Sequence, residues 1–338
     1  MKFDYEILRN EYMGISGSSL LRVIQNNDMP ILDLLTREAI QNSLDAKLDN
    51  NASVDIEINI SKFDENKLAN TIEPFGNKLL EKYKNQKLDT FISFSDTNTT
   101  GLIGPKNMSE VINNDYGKFI NLIFNIGKAQ TMENAGGSWG YGKTVYYRVG
   151  IGLVIFYSRI KYDDKYESRM VISLVEDERD TIIPSYKNEN RPKTGIMWFG
   201  RKNGELDQLN PITNEDEIKF ILSGTVNNYE TFTHNIPVPR DEKGFPYIAR
   251  ATLAYYPKCD RNQGVDYTCS EMDIHFGRVM ERNGKVTIKA INNNSQGDEN
   301  GEKLYETNAR KMYRKWDNVK HISEKLNSNA RSKKVYGA

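Results

Sequence analysis

The chain is poor in several things that would have narrowed its chemistry at once. It has three histidines in 338 residues, His234, His275 and His321. They stand far apart, and each reads as a packing or surface residue rather than a metal ligand or nucleophile. Two cysteines, Cys259 and Cys269, make neither a disulfide framework nor a zinc site and read as reduced thiols. No apolar run reaches the ~18 residues of a membrane-spanning helix; the longest lies near Val149–Tyr157. The start, Met1-Lys2-Phe3-Asp4-Tyr5-Glu6, carries acids early and lacks an apolar stretch, so a secretory signal is not expected and the expected compartment is the cytoplasm. Net charge is absent too, with 46 basic and 46 acidic residues. That removes any global attraction to nucleic acid or to an anionic membrane, and no membrane partner is expected.

What the chain does have is a polar, globular composition long enough for about two domains. Its most informative stretch is Thr36–Ala46, Thr-Arg-Glu-Ala-Ile-Gln-Asn-Ser-Leu-Asp-Ala, within a helix expected over residues 31–48. Leu34, Leu35, Ala39, Ile40, Leu44 and Ala46 give it an apolar side. Glu38, Asn42 and Asp45 fall at i, i+4 and i+7 and share another face. An ordinary solvated face mixes Lys with Glu. A carboxylate, an amide and a second carboxylate in one row suit an ion and a water.

Alternation predicts strands at Ser53–Phe63 and Asp89–Ser95, the second ending at Asp96. Helices are expected over Leu68–Lys84, Lys118–Ile126, Tyr141–Arg148 and Asn214–Ser223, and strands over Leu153–Ile160, Glu167–Val175 and Gly195–Gly200. Residues 1–30 read as partly helical, with a break at Gly14–Ser19. This order predicts an α+β sandwich with helices on one face of a mixed, mainly antiparallel sheet. Composition changes near Gly224. Beyond it, strands over Thr231–Val238, Ile248–Tyr256, Glu271–Val279 and Lys285–Ala290 alternate with turn signals, and a helix is expected over Glu302–Asn327. The expected division is residues 1–224 and a smaller β-rich unit, 225–338. Lys303–Ala338 holds ten Lys or Arg against three acids, a basic surface for which an acidic protein client or nucleic acid are the candidate partners.

Two further clusters follow the helix in order. Asp96-Thr97-Asn98-Thr99-Thr100-Gly101 stands where a strand ends, and an aspartate there suits hydrogen bonds from an amino group such as that of adenine. Gly136-Gly137-Ser138-Trp139-Gly140-Tyr141-Gly142-Lys143 stands where a helix begins, and its free backbone N–H groups suit phosphates. An asparagine oxygen is a hard ligand for a phosphate-bound Mg²⁺. A carboxylate one helical turn away can deprotonate a water.

Over residues 10–200 the set resembles the GHKL ATPases, which include DNA gyrase, the ninety-kilodalton heat-shock chaperone, histidine kinases, MutL and the MORC proteins. Glu38–Ala46 looks like that family's N box, Asp96 and Gly101 like its adenine box, and Gly137, Gly140, Gly142 and Lys143 like its second glycine box. The resemblance implies a Bergerat-type two-layer α/β sandwich that binds ATP and Mg²⁺ and hydrolyses ATP. It implies Glu38 as general base, Asn42 as Mg²⁺ ligand and Asp45 in support. Asp96, with Asn98 and Gly101 in its turn, would seat the adenine. Gly137, Ser138, Trp139, Gly140, Tyr141, Gly142 and Lys143 would wrap the phosphates, and Thr194, before Gly195, resembles the late threonine that shares the adenine water. Asn98 stands where the family has its first glycine, and asparagine tolerates positive φ better than most residues.

The resemblance also implies an ATP-driven conformational switch with Thr97–Gly136 as a lid, an ATP-dependent homodimer, and membership among bacterial relatives that act in defence against phage. Residues 230–325 are similar to the β-sandwich that follows the catalytic domain in some bacterial subtilisin-like proteases, without a protease triad, and the chain is expected to be a piece of a longer protein. Two other readings stand beside this one. Gly137-x-x-x-x-Gly142-Lys143-Thr144 also satisfies the P-loop pattern, although Lys128–Asn134 before it is not strand-like. A nucleotide-regulated binding module without turnover would not need Glu38. A histidine kinase would need a phospho-accepting hairpin before the N box, and no histidine precedes His234. A type II topoisomerase subunit would need a transducer domain that residues 225–290 do not supply.

Overall fold

The computed structural model describes residues 2–9, 15–23, 31–48, 54–62, 64–85, 87–125, 144–162, 165–188, 192–202, 207–222, 233–240, 287–292 and 302–307. Among these the chain is mixed α+β. The strands are β1 (Asp4–Ile7), β2 (Asp55–Lys62), β3 (Lys87–Thr97), β4 (Leu153–Tyr162), β5 (Lys165–Val175), β6 (Ile196–Lys202), β7 (Leu209–Asn210), β8 (Thr233–Arg240), β9 (Thr287–Asn292) and β10 (Glu302–Thr307). The helices are α1 (Gly17–Val23), α2 (Ile31–Asp45), α3 (Glu65–Thr71), α4 (Phe75–Lys82), α5 (Gly117–Ile123), α6 (Val145–Val149) and α7 (Glu215–Leu222).

The strands form one open sheet in the order β1-β6-β5-β4-β8-β3-β2-β9-β10, with β7 beside β6. Every pairing is antiparallel except that of β2 with β9. β8, β9 and β10 come from the part of the chain assigned to the second unit, and all three pair into this sheet. Ile248–Tyr256, Glu271–Val279 and residues 308–338 lie outside the described residues.

Successive strand residues point to opposite faces, and here both faces are apolar. On β4, Val154 and Phe156 join one core while Leu153, Ile155 and Tyr157 join another; on β6, Ile196 and Trp198 oppose Met197 and Phe199 in the same way. The first core is covered by α2, α5 and α6, through Leu35, Ile40, Phe119, Ile120, Val145 and Tyr147. The second is covered by α3, α4 and α7, through Leu68, Ile72, Phe75, Leu79, Ile218 and Leu222. Helices on one face were expected; the structure has them on both. The reason is visible in the strands themselves, since near-continuous apolar runs such as Leu-Val-Ile-Phe-Tyr need cover on both sides.

Three local readings are also corrected. The helix expected over Leu68–Lys84 is two helices, because Pro74 lacks an N–H and cannot continue the first. Asp4–Ile7 is a strand, held antiparallel to Met197–Gly200. Glu302–Thr307 is a strand on β9, not the start of a helix. Its short alternation of charged and apolar residues, with Tyr and Thr, satisfies a sheet edge as well as a helical turn.

Candidate functional site

α2 lies on the first core, and its Glu38–Asn42–Asp45 row runs along the border of that core, with Glu38 and Asn42 partly buried and Asp45 exposed. Ala39, Ile40 and Leu44 are buried beneath it. Immediately after β3 the chain is stitched to the end of α2. Thr100 N–H donates to Ala46 O at 2.8 Å, and Thr99 bridges to Lys47. These bonds bring Asp96, near the end of β3, against the helix.

Asp96 is buried, with 1% exposure. An isolated buried carboxylate is costly, so its partners decide whether it is tolerated. Ser43 Oγ donates to Asp96 Oδ2 at 2.8 Å, and Thr99 Oγ1 donates to Oδ1 at 2.6 Å. Lys118, the second residue of α5, donates from Nζ to Thr100 Oγ1 at 2.6 Å. Burial lowers the pKa of this ammonium below its ordinary value, and the nearby carboxylates of Asp45 and Asp96 oppose that shift without cancelling it. A half-buried cation is therefore fastened to the turn that follows Asp96.

Along α2, Arg37 donates to Glu38 Oε1 from Nε at 3.0 Å and from Nη2 at 2.5 Å. Gln41 Nε2 donates to Asp45 Oδ1 at 2.7 Å. Asn42 Nδ2 donates to the Tyr146 hydroxyl of α6 at 2.8 Å. Among the described residues no group of three or more His, Cys, Asp or Glu could hold a metal ion by itself. One amide oxygen flanked by carboxylates instead fits a hard cation whose other ligands are phosphate oxygens and water.

Asn98 has a φ of +62°, in the left-handed region that asparagine tolerates, and Gly101 has the same value. From there the loop is fastened to the sheet. Leu102 N–H donates to Ser158 Oγ at 2.9 Å, and the buried Arg169 donates to Leu102 O at 3.3 Å and Gly104 O at 2.6 Å. Gly104 and Gly117 touch back to back; a Cβ on either would come within 2.6 Å of the other's Cα. Only glycine permits that approach, which fixes where α5 starts. Phe119, Ile120 and Ile123 are fully buried. Of the lid expected over Thr97–Gly136, residues 102–123 are thus held against the sheet with α5 in the first core, and residues 126–136 lie outside the described residues.

Glu38, Asn42, Asp45, Asp96, Asn98 and Gly101 are thus brought together. Thr194 is not among them. Its hydroxyl donates to Leu8 O at 3.0 Å, just before β6. β6 stands four strand spacings from β3, on the order of 20 Å. The threonine that the register sets beside this end of β3 is Thr233, opposite Ser95. Gly137, Ser138, Trp139, Gly140, Tyr141, Gly142 and Lys143 lie outside the described residues.

Ser43, Thr99, Lys118 and Tyr146 join the site without having been singled out from the sequence. Ser43 did leave a signal, a hydroxyl inside the apolar stripe of Ala39, Ile40 and Leu44. Lys118 and Tyr146 left none, since their partners are far along the chain. No family model matches the chain, and no curated protein matches it. Among the described residues no helix is long and apolar enough to cross a membrane.

Proposed function

We propose that the chain binds ATP with Mg²⁺ and hydrolyses it as a GHKL-type ATPase. The observation that carries this reading is the fastening of buried Asp96 to Ser43, on the same helix that presents Glu38 and Asn42 on its neighbouring face. One end of a nucleotide is thereby matched by a buried acceptor, and the other by an amide and a carboxylate about one helical turn apart. The GHKL layer in this reading is α2, α5 and α6 on the sheet; α3, α4 and α7 are an added layer on its reverse.

In this mechanism Asp96 accepts a hydrogen bond from the adenine amino group. Lys118 offsets negative charge beside it. Asn42 would hold Mg²⁺ through its amide oxygen, and the ion would neutralise charge on the phosphate oxygens. Glu38 takes the proton of a water as its oxygen bonds to the γ-phosphorus. The bond from that phosphorus to the bridging oxygen breaks, and ADP leaves. Arg37, bonded to Glu38, holds the carboxylate oriented until then. A conformational switch or an ATP-dependent dimer would follow from the nucleotide cycle at this site.

The P-loop reading is less well supported, because the sequence Lys128–Asn134 before the glycine box is not strand-like, whereas a P-loop follows a strand. Titration of a non-hydrolysable ATP analogue, with phosphate release measured in parallel, tests the proposal. Asp96→Asn should abolish analogue binding, and unimpaired affinity would overturn the adenine assignment. Glu38→Ala should still bind the analogue but release no phosphate.

A further inference from the structure

We infer that Tyr146 is a positioning residue that sets the orientation of the Asn42 amide, and so aims its oxygen at the cation. The inference rests on the reading of Asn42 as a Mg²⁺ ligand. A side-chain amide is planar with a donor at one end and an acceptor at the other, and a half-turn exchanges them. Its orientation is therefore set by what binds each end. Here the partner of the nitrogen is Tyr146 Oη, which accepts from Asn42 Nδ2 at 2.8 Å. Among the described residues nothing donates to the Asn42 oxygen.

The tyrosine is itself held rigidly. It is fully buried on α6, between α2 and the sheet. The next residue, Tyr147, is also buried and places its hydroxyl on Ser173 Oγ of β5 at 3.0 Å. Two consecutive phenols thus fasten one short helix in two directions, Tyr147 to the sheet and Tyr146 to the amide. Phenylalanine would fill the same space and leave the amide without a reference.

The test is calorimetric titration of a non-hydrolysable ATP analogue, with saturating Mg²⁺ and again with a chelator, on the full chain. Stoichiometry counts the folded molecules, so a partly unfolded variant still reports. Tyr146→Phe should keep the chelator affinity within about twofold while losing about tenfold of the Mg²⁺ enhancement, the scale of a ligand's supporting hydrogen bond. Tyr147→Phe should keep the whole enhancement. In an Asn42→Asp background, where both oxygens are alike, Tyr146→Phe should change the enhancement by less than twofold. Retention of the full enhancement in Tyr146→Phe overturns the inference, as does an equal loss with and without Mg²⁺, which would mark a structural role only. Absence of any Mg²⁺ enhancement in the unaltered chain overturns the underlying reading instead.

Discussion

The two helical layers of this molecule do different work on the same sheet. α3, α4 and α7 lay Leu68, Ile72, Phe75, Leu79, Ile218 and Leu222 on one face and keep their charges outside, as in the Arg201–Glu217 and Lys82–Asp180 pairs. α2, α5 and α6 cover the other face just as fully, yet they also place Ser43, Lys118 and Tyr146 in or beside the interior, around Asp96 and Asn42. Polar groups between a helix and a sheet cost stability unless each finds a partner. A layer that accepts several of them, all partnered, beside a layer that accepts few, is what the proposed site requires.

The sharpest way to break this comparison is to remove one group from each layer. Glu38→Ala should lower ATP turnover by about 10²–10⁴-fold, the usual worth of a general base, with the unfolding midpoint barely moved. Phe75→Ala should do the reverse. Phe75 is buried, with Tyr5 at 4.9 Å and Phe199 at 5.9 Å between ring centroids. Its loss should cost about 3–5 kcal/mol in denaturant unfolding, while the molecules that remain folded bind nucleotide normally. If Phe75→Ala weakens nucleotide affinity as strongly as Glu38→Ala lowers turnover, the division between the layers fails.

A smaller effect tests a buried carboxylate that the proposed chemistry does not use. Glu176, just past β5, accepts from Ile183 N–H through Oε1 at 2.5 Å, while its Oε2 is buried with no hydrogen-bond partner among the described residues. Burial raises its pKa above the ordinary 4.5; the Ile183 N–H and the cations of Lys82 and Lys193 oppose that without cancelling it, and Asp180 adds to it. A carboxyl raised in the folded state stabilises fully below its unfolded pKa and loses that contribution as pH rises through the folded value. Glu176→Gln should therefore be more stable than the unaltered chain at pH 7, by about 1 kcal/mol. The gap should narrow as pH falls toward 4.5. Thermal unfolding at several pH values reads it, and a gap that is constant with pH rejects this account of Glu176.

The same contrast explains what was legible in the sequence. α2, β2 and β3 were readable because each carries its own period, and Asp96 was readable because a polar residue ended an apolar alternation. The second helical layer was not read, although the unbroken apolar runs of β4 and β6 already required cover on both faces. Ser43–Asp96 and Asn42–Tyr146 join residues 53 and 104 positions apart. No local pattern encodes such pairs; they exist only once the sheet order is known. Thr194 shows the converse. A threonine–glycine pair before a strand matched a pattern, but β5, β4 and β8 stand between β6 and β3. Glu302–Thr307 carries too few residues for a period to separate strand from helix, and pairing with β9 decided it.

The smallest expected effect sharpens the comparison within the site itself. Asn98 holds φ +62° in the turn after Asp96, and its side chain is exposed. If the residue serves only the backbone, glycine should replace it at little cost. Relief of the left-handed conformation favours the variant, whereas the greater freedom of an unfolded glycine opposes it. The two terms nearly cancel, so Asn98→Gly should change stability by less than about 0.5 kcal/mol and analogue affinity by less than about twofold. An affinity loss of tenfold or more at unchanged stability would mean that the asparagine side chain touches the nucleotide. The turn would then join the helix face of Glu38 and Asn42 as a direct part of the binding surface, and Asp96 would not be the sole contact that this strand end makes with the base.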